Sequence, residues 1–147
     1  MCVALDRGPI PNLEYELEEA KKTKDWFNAI IHSAIQLEKY GYIAIREHLD
    51  SKRVEPKILD KLLERIHLAE IADYLVLIDV IDKEECKTIK KIGEERNKFV
   101  HRKTGSDYFI GTRANVEYEP LVKAAIRILK EKLNAERYFA GFPPWDS

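Results

Sequence analysis

Two cysteines, Cys2 and Cys86, are all that this chain of 147 residues carries. That supports neither a disulfide framework nor a cysteine-based metal site, and it leaves Cys86 to be read as a small buried apolar residue. Long hydrophobic runs are also missing: Tyr74 to Ile78 is among the longest, far too short to cross a bilayer. The first residues, Met1 to Pro11, hold Asp6 and Arg7 but no basic segment leading into an apolar stretch, so they do not read as a secretion signal. The expectation is a cytoplasmic protein with no membrane partner. Net charge is nearly absent too, at -1 with a pI near 6.4. This excludes a strongly basic protein that coats nucleic acid indiscriminately, but not a local phosphate site.

Hydrophobic residues make up 45% of the chain and charged residues 35%, a balance that opposes disorder. The length suits a single domain over 1–147, with 1–11 as a leader and 138–147 as an aromatic tail. Charge is segregated along the sequence. Seven Lys or Arg residues lie between Lys87 and Lys103 against Glu94 and Glu95, while Asp79, Asp82, Glu84 and Glu85 come just before them.

The periodicity predicts an all-α fold, an antiparallel bundle of four major helices with room for an additional short one. Asn12 is a candidate cap for a first long segment reaching Leu49, with Phe27, Ile30, Ala34, Leu37 and Gly41 on its inward stripe. Gly41 marks a bend, a close helix contact or a tolerated surface position. Pro56 suits the first turn of a second element carrying Ile58, Leu59, Leu62, Leu63 and Ile66. The stripe continues through Ala69, Ala72, Leu75, Ile78 and Ile81, although Tyr74 to Ile81 also fits a short strand. Asp82 with Glu85 resembles a capping box opening a third major element, in which Cys86, Ile89, Gly93, Arg96 and Val100 recur with Ile92 and Phe99. Thr104 to Thr112 reads as an exposed loop. The last helix begins at Asn115 or Glu117 and turns Leu121, Ala125, Ile128, Leu129 and Leu133 inward.

The chemistry concentrates at Arg96-Asn97-Lys98-Phe99-Val100-His101, followed by Arg102-Lys103-Thr104-Gly105. Asn97 and His101 are four residues apart and share a helix face, with Gly93 one turn back, where the missing side chain leaves room for a second helix or an RNA backbone and makes that face the preferred dimer interface. Arg96 and His101 are five apart, roughly 140 degrees around an ideal helix, so a two-fold pair of helices is the simpler way to bring them to one cleft. RNA brings its own nucleophile in the 2'-hydroxyl. A neutral His101 can accept its proton, Arg96 can stabilise charge growing on the phosphate, and Asn97 can orient either partner. The first products would be a 2',3'-cyclic phosphate and a 5'-hydroxyl end. Lys98, Arg102 and Lys103 suit RNA positioning, while the helix C-terminus favours the His101 cation and hence an acid role. The same residues also allow a plainer reading, with Arg96 paired to Glu94, Glu95 or another helix and His101 acting as a cap.

Arg96, the polar Asn97 directly after it, and His101 after Lys98, Phe99 and Val100 resemble the motif of the HEPN superfamily, helical domains many of whose members are ribonucleases. The helical reading from about Asn12 to Leu133 is similar to that family's core. The resemblance implies cleavage of RNA without metal or other cofactor, with catalytic residues Arg96, Asn97 and His101 and a cleft shared by a homodimer. It also implies, for toxin-type members, a cognate nucleotidyltransferase or antitoxin as partner. The Gly-Ser pair with spaced acidic residues that such a transferase requires is not supplied by Gly105-Ser106-Asp107. The alternative is a noncatalytic module binding RNA, nucleotide or protein. His32, His48 and His67 form no zinc spacing and read as structural or solvent-facing, with His32 a secondary candidate for facing RNA.

Overall fold

The computed structural model describes residues 8–101 and 116–139, and every described element is helical. In chain order these are α1 (Pro9–Thr23), α2 (Phe27–Ser51), α3 (Pro56–Leu63), α4 (Leu68–Leu77), α5 (Lys83–His101), α6 (Tyr118–Arg127) and α7 (Ala135–Phe139). A π-helical turn, Ile128–Lys132, continues α6. No strand occurs among the described residues, so Tyr74 to Ile81 is not one: α4 ends at Leu77. The segment 104–112 and the tail beyond Phe139 lie outside the described residues.

The first long segment divides in two. Lys24 adopts a left-handed conformation, φ 63°, and closes α1 by donating its N–H to Ala20 O at 2.8 Å. Asp25 then accepts from Phe27 N at 3.0 Å, satisfying one of the free donors at the start of α2. Neither residue is a helix breaker by type, which is why the stripe reads through the junction. Asn12 is not a cap: Pro9 occupies the first turn of α1, so the leader's last residues are helical.

Other boundaries follow from local chemistry. Pro56 opens α3. Asp82 Oδ1 accepts from Glu85 N at 2.8 Å while Glu85 Oε1 accepts from Asp82 N at 2.9 Å, the reciprocal bonds of a capping box. Glu85 is nearly fully buried, and its second oxygen receives Arg127 Nη1 of α6 at 2.9 Å. The residue that starts α5 therefore also ties α5 to α6.

The inter-helix contacts fix directions. Glu38 and Phe27 of α2 meet Arg96 and Phe99 of α5, Leu68 and Asp73 of α4 face Gly93 and Lys90, and Tyr118 and Arg127 of α6 meet Glu95 and Glu85. In each pair, rising numbers on one helix meet falling numbers on α5, so α2, α4 and α6 all run against it. Gly41 permits the tightest approach. A Cβ there would lie 2.6 Å from Ile71 Cγ2, so α2 and α4 touch through the space of a missing methyl group.

The core has two parts. The larger packs Leu37, Tyr40 and Ile45 against Leu68, Ile71, Leu75, Ile89 and Ile92. The smaller gathers Leu17, Ala20, Trp26, Ile30, Phe99, Tyr118 and Val122 at the C-terminal end of α5. Its rings form a chain: Tyr118 stacks on Trp26 at 6.1 Å and on Phe99 at 5.6 Å, and Phe99 meets Phe27 at 5.7 Å with a tilt of 54°. None of the described helices is long and apolar enough to cross a membrane.

Candidate functional site

Phe99 has no solvent exposure, and with its ring locked among Phe27 and Tyr118 the last turns of α5 cannot rotate about their axis. That anchoring decides where the neighbouring polar residues go. Arg96 points to α2, where Nη1 donates to Glu38 Oε2 at 2.9 Å, and its side chain is only 22% exposed. Its Nε donates a longer bond, 3.4 Å, to Oδ1 of the exposed Asn97. Arg96 and Asn97 are thus brought together, with the guanidinium held by a carboxylate 58 positions earlier in the chain.

Lys98 goes elsewhere. It reaches Glu95 Oε2 at 3.4 Å, an oxygen shared with Lys91 at 3.4 Å, while Tyr118 donates its hydroxyl to Glu95 Oε1 at 3.2 Å. Glu95 is fully buried, so this cluster joins α5 to α6 on the flank away from Glu38. Two like-charged lysines gathered by one buried carboxylate make a structural knot whose heads remain partly in water. His101 is the last residue of α5, so helical backbone separates it from Arg96 as the spacing predicts. Its side chain, and all of Arg102 and Lys103, lie outside the described residues.

Two expectations for this helix are corrected. Gly93 does not face a second subunit: the helix it admits is α4 of the same chain, for Gly93 is buried and a Cβ there would meet Leu68 Cδ2 at 3.4 Å. That removes the Gly93 face as a dimer surface. Val100 is not on the inward stripe either, being 53% exposed. Beyond Phe99 the helix turns that position away from both core clusters.

Glu38 is the residue that sequence reasoning missed. Besides holding Arg96, it lines an open groove of about 330 Å³ with Lys39, Tyr42, Ile43, Leu63, Ile66 and Ile71. Tyr42 is held in that groove by Arg46, whose Nη1 donates to the Tyr42 hydroxyl at 3.3 Å and to Asp60 of α3 at 2.8 Å. A surface glutamate on an amphipathic helix carries no signal of such a partner in one sequence.

The other candidate groups sort by contact. His32 pairs through Nδ1 with Glu16 of α1, whose carboxyl is pushed above its usual range by burial, against the opposing pull of the His32 hydrogen bond and charge. His67 sits immediately before α4 as its cap position. Cys86 is buried, as expected, with its Sγ 3.6 Å from Asp73 Oδ1; burial raises its thiol pKa. Among the described residues no three His, Cys, Asp or Glu side chains converge as a metal site would require. No protein-family model, curated protein or solved structure matches the chain.

Proposed function

We propose that this protein is a metal-independent endoribonuclease of the HEPN kind, in which Arg96 receives the scissile phosphate and His101 moves the protons. The observation that supports it best is the placing of Arg96: a guanidinium mostly withdrawn from water, oriented by Glu38 and flanked by Asn97, five residues before a histidine on the same helix. A preoriented guanidinium stabilises developing phosphate charge without reorganising during the reaction. In the reaction, a neutral His101 imidazole takes the 2'-hydroxyl proton, the 2'-oxygen bonds to phosphorus, and the bond to the 5'-oxygen breaks. The leaving oxygen takes a proton from a second imidazolium, giving a 2',3'-cyclic phosphate and a 5'-hydroxyl. Two histidines in opposite protonation states call for a homodimer whose copies face one cleft. In this reading the four major segments, the first divided into α1 and α2 and the second into α3 and α4, followed by α5 and α6, form an antiparallel bundle, Arg102 and Lys103 position the RNA, and a cognate nucleotidyltransferase or antitoxin restrains a cytoplasmic toxin. Lys98, tied to Glu95, adds charge on a separate flank.

The second reading is a noncatalytic module binding RNA, nucleotide or protein. It is favoured by the ion pairs themselves, since Arg96 and Lys98 already hold carboxylates. Incubation of the pure protein with single-stranded RNA in excess chelator separates the two. Cleavage that is lost in Arg96→Ala and His101→Ala, with helical circular dichroism retained, supports the nuclease. Equal cleavage by wild type and both variants rejects it, and saturable, salt-sensitive binding without cleavage supports the module.

A further inference from the structure

We propose that the groove between α2, α3 and α4 is a nucleobase subsite that prefers guanine and seats the base attached to the phosphate at Arg96. This rests on the reading of Arg96 as a phosphate-binding residue.

Glu38 is the geometric link. Its Oε2 holds Arg96 at 2.9 Å, and Glu38 is one of the residues that line the groove, so the guanidinium lies outside the groove but is bound to the carboxylate of a lining residue. A ligand that reaches both must carry an anion at one end and a flat, largely apolar body with hydrogen-bonding edges at the other. A nucleotide has that form. The groove's volume of about 330 Å³ is enough for one base with its sugar and lies at the low end of small-molecule sites.

The lining supplies what a base requires. Tyr42 offers an aromatic face whose hydroxyl is pinned by Arg46, itself braced by Asp60, so the ring is oriented before any ligand arrives. Leu63, Ile66 and Ile71 provide apolar contact, and Ile71 is fixed by its close approach to Gly41. The polar lining residues are Glu38 and Lys39, neighbours in sequence: the Glu38 carboxylate is an acceptor, and the Lys39 ammonium, which rests 5.3 Å from the centroid of the Tyr40 ring, becomes a donor to the base by swinging off that ring. Guanine presents two adjacent donors, N1–H and the N2 amino group, beside the O6 acceptor. A carboxylate accepts from the first two while an ammonium donates to the third. Uracil offers one donor between two carbonyls and matches least.

Binding of nucleoside 5'-monophosphates, read by saturation-transfer NMR and calorimetry, tests this without relying on cleavage. Guanosine monophosphate should bind at least about tenfold more tightly than uridine monophosphate. Tyr42→Ala should weaken guanosine monophosphate by about tenfold, whereas Tyr42→Phe should retain it, as stacking requires. Glu38→Gln, which can still accept from Arg96, should erase the preference for guanine over uracil. A merely structural role for Glu38 would not move base preference. Equal binding of all four nucleotides, undiminished binding by Tyr42→Ala, or no binding at all would overturn the subsite. So would a peptide or a second copy of the chain occupying the groove in place of nucleotide. If guanosine monophosphate binds as described but RNA is never cut, the nuclease reading fails and the subsite stands; RNA cleavage with no base discrimination gives the reverse.

Discussion

Replacing Gly41 by alanine should destabilise the protein, although alanine is the better helix former. The new Cβ would lie 2.6 Å from Ile71 Cγ2, well inside ordinary contact, and Ile71 is itself buried in the larger core. Against a gain of about 1 kcal/mol from helix propensity stands an overpacking cost of about 1–3 kcal/mol. The net expectation is a loss of about 1 kcal/mol, seen as a Tm lowered by about 4 °C. Gly93→Ala provides the contrast, because its Cβ would meet Leu68 Cδ2 at 3.4 Å and displace nothing. There the propensity gain should survive, raising stability by up to about 1 kcal/mol. Ile71→Leu in the Gly41→Ala background should recover stability, since leucine has no methyl group on Cβ, and the two changes should couple by at least about 0.5 kcal/mol. Urea unfolding and thermal melts of wild type, Gly41→Ala, Ile71→Leu, their double variant and Gly93→Ala measure this directly. A Gly41→Ala protein as stable as wild type, or additive behaviour of the pair, would refute the close-approach argument. Because Ile71 also lines the groove beside Glu38, Gly41→Ala should alter that groove as well as the core.

Other contacts give further expectations. Glu85→Ala removes the capping-box acceptor together with the carboxylate that holds Arg127, and should cost about 2–3 kcal/mol in urea unfolding, more than a cap alone. Tyr118→Phe keeps the ring stack but leaves the buried Glu95 without that hydroxyl donor, so stability should fall by about 1–2 kcal/mol while the near-ultraviolet dichroism of the aromatic cluster persists. Burial raises the Glu16 pKa, so the folded state favours the protonated carboxyl; this contribution is full below the unfolded value near 4.5 and is lost as pH rises through the folded value. Glu16→Gln should therefore stabilise the protein at neutral pH, with the advantage shrinking as pH falls through the raised folded value and gone below about pH 4.5, as chemical denaturation at a series of pH values would show. A constant difference across that range would contradict the burial argument.

What could be read from sequence was what is local. Asp82 and Glu85 form a capping box because both members and their bonded N–H groups lie within four consecutive residues. Pro56 opens α3 for a reason contained in its own ring. Gly41 and Gly93 differ only in what stands across from them, Ile71 or Leu68, and nothing next to either glycine reveals that. The break between α1 and α2 was hidden because Lys24 accepts a left-handed conformation that glycine or asparagine would have advertised. At the candidate site, the helix carrying Arg96 and His101 was legible from its periodicity, whereas Glu38 was not, its partner lying 58 residues away. In the sequence Glu85 reads as a capping-box member and Glu95 as one candidate partner of Arg96, and neither reads as a buried group. Their burial depends on Arg127, Lys132, Lys91, Lys98 and Tyr118 arriving from neighbouring turns and from α6.

The π-helical turn at Ile128–Lys132 closes on a bond from Leu133 N to Ile128 O at 3.0 Å, one residue wider than the turns before it. Such a turn stores slack. It holds one more residue than an α-turn between the same two ends, so Ile128 and Leu129 within it and Leu133 and Ala135 after it can all face the core. Deleting the exposed Lys130 would let the segment tighten to α-helix while both flanks keep their phase. The same deletion in the middle of α5 has no slack to draw on: it would swing the aromatic anchor at Phe99 by about 100° and take Arg96 away from Glu38. Chain length is therefore adjustable at the end of α6 and rigidly specified along the helix that carries the motif.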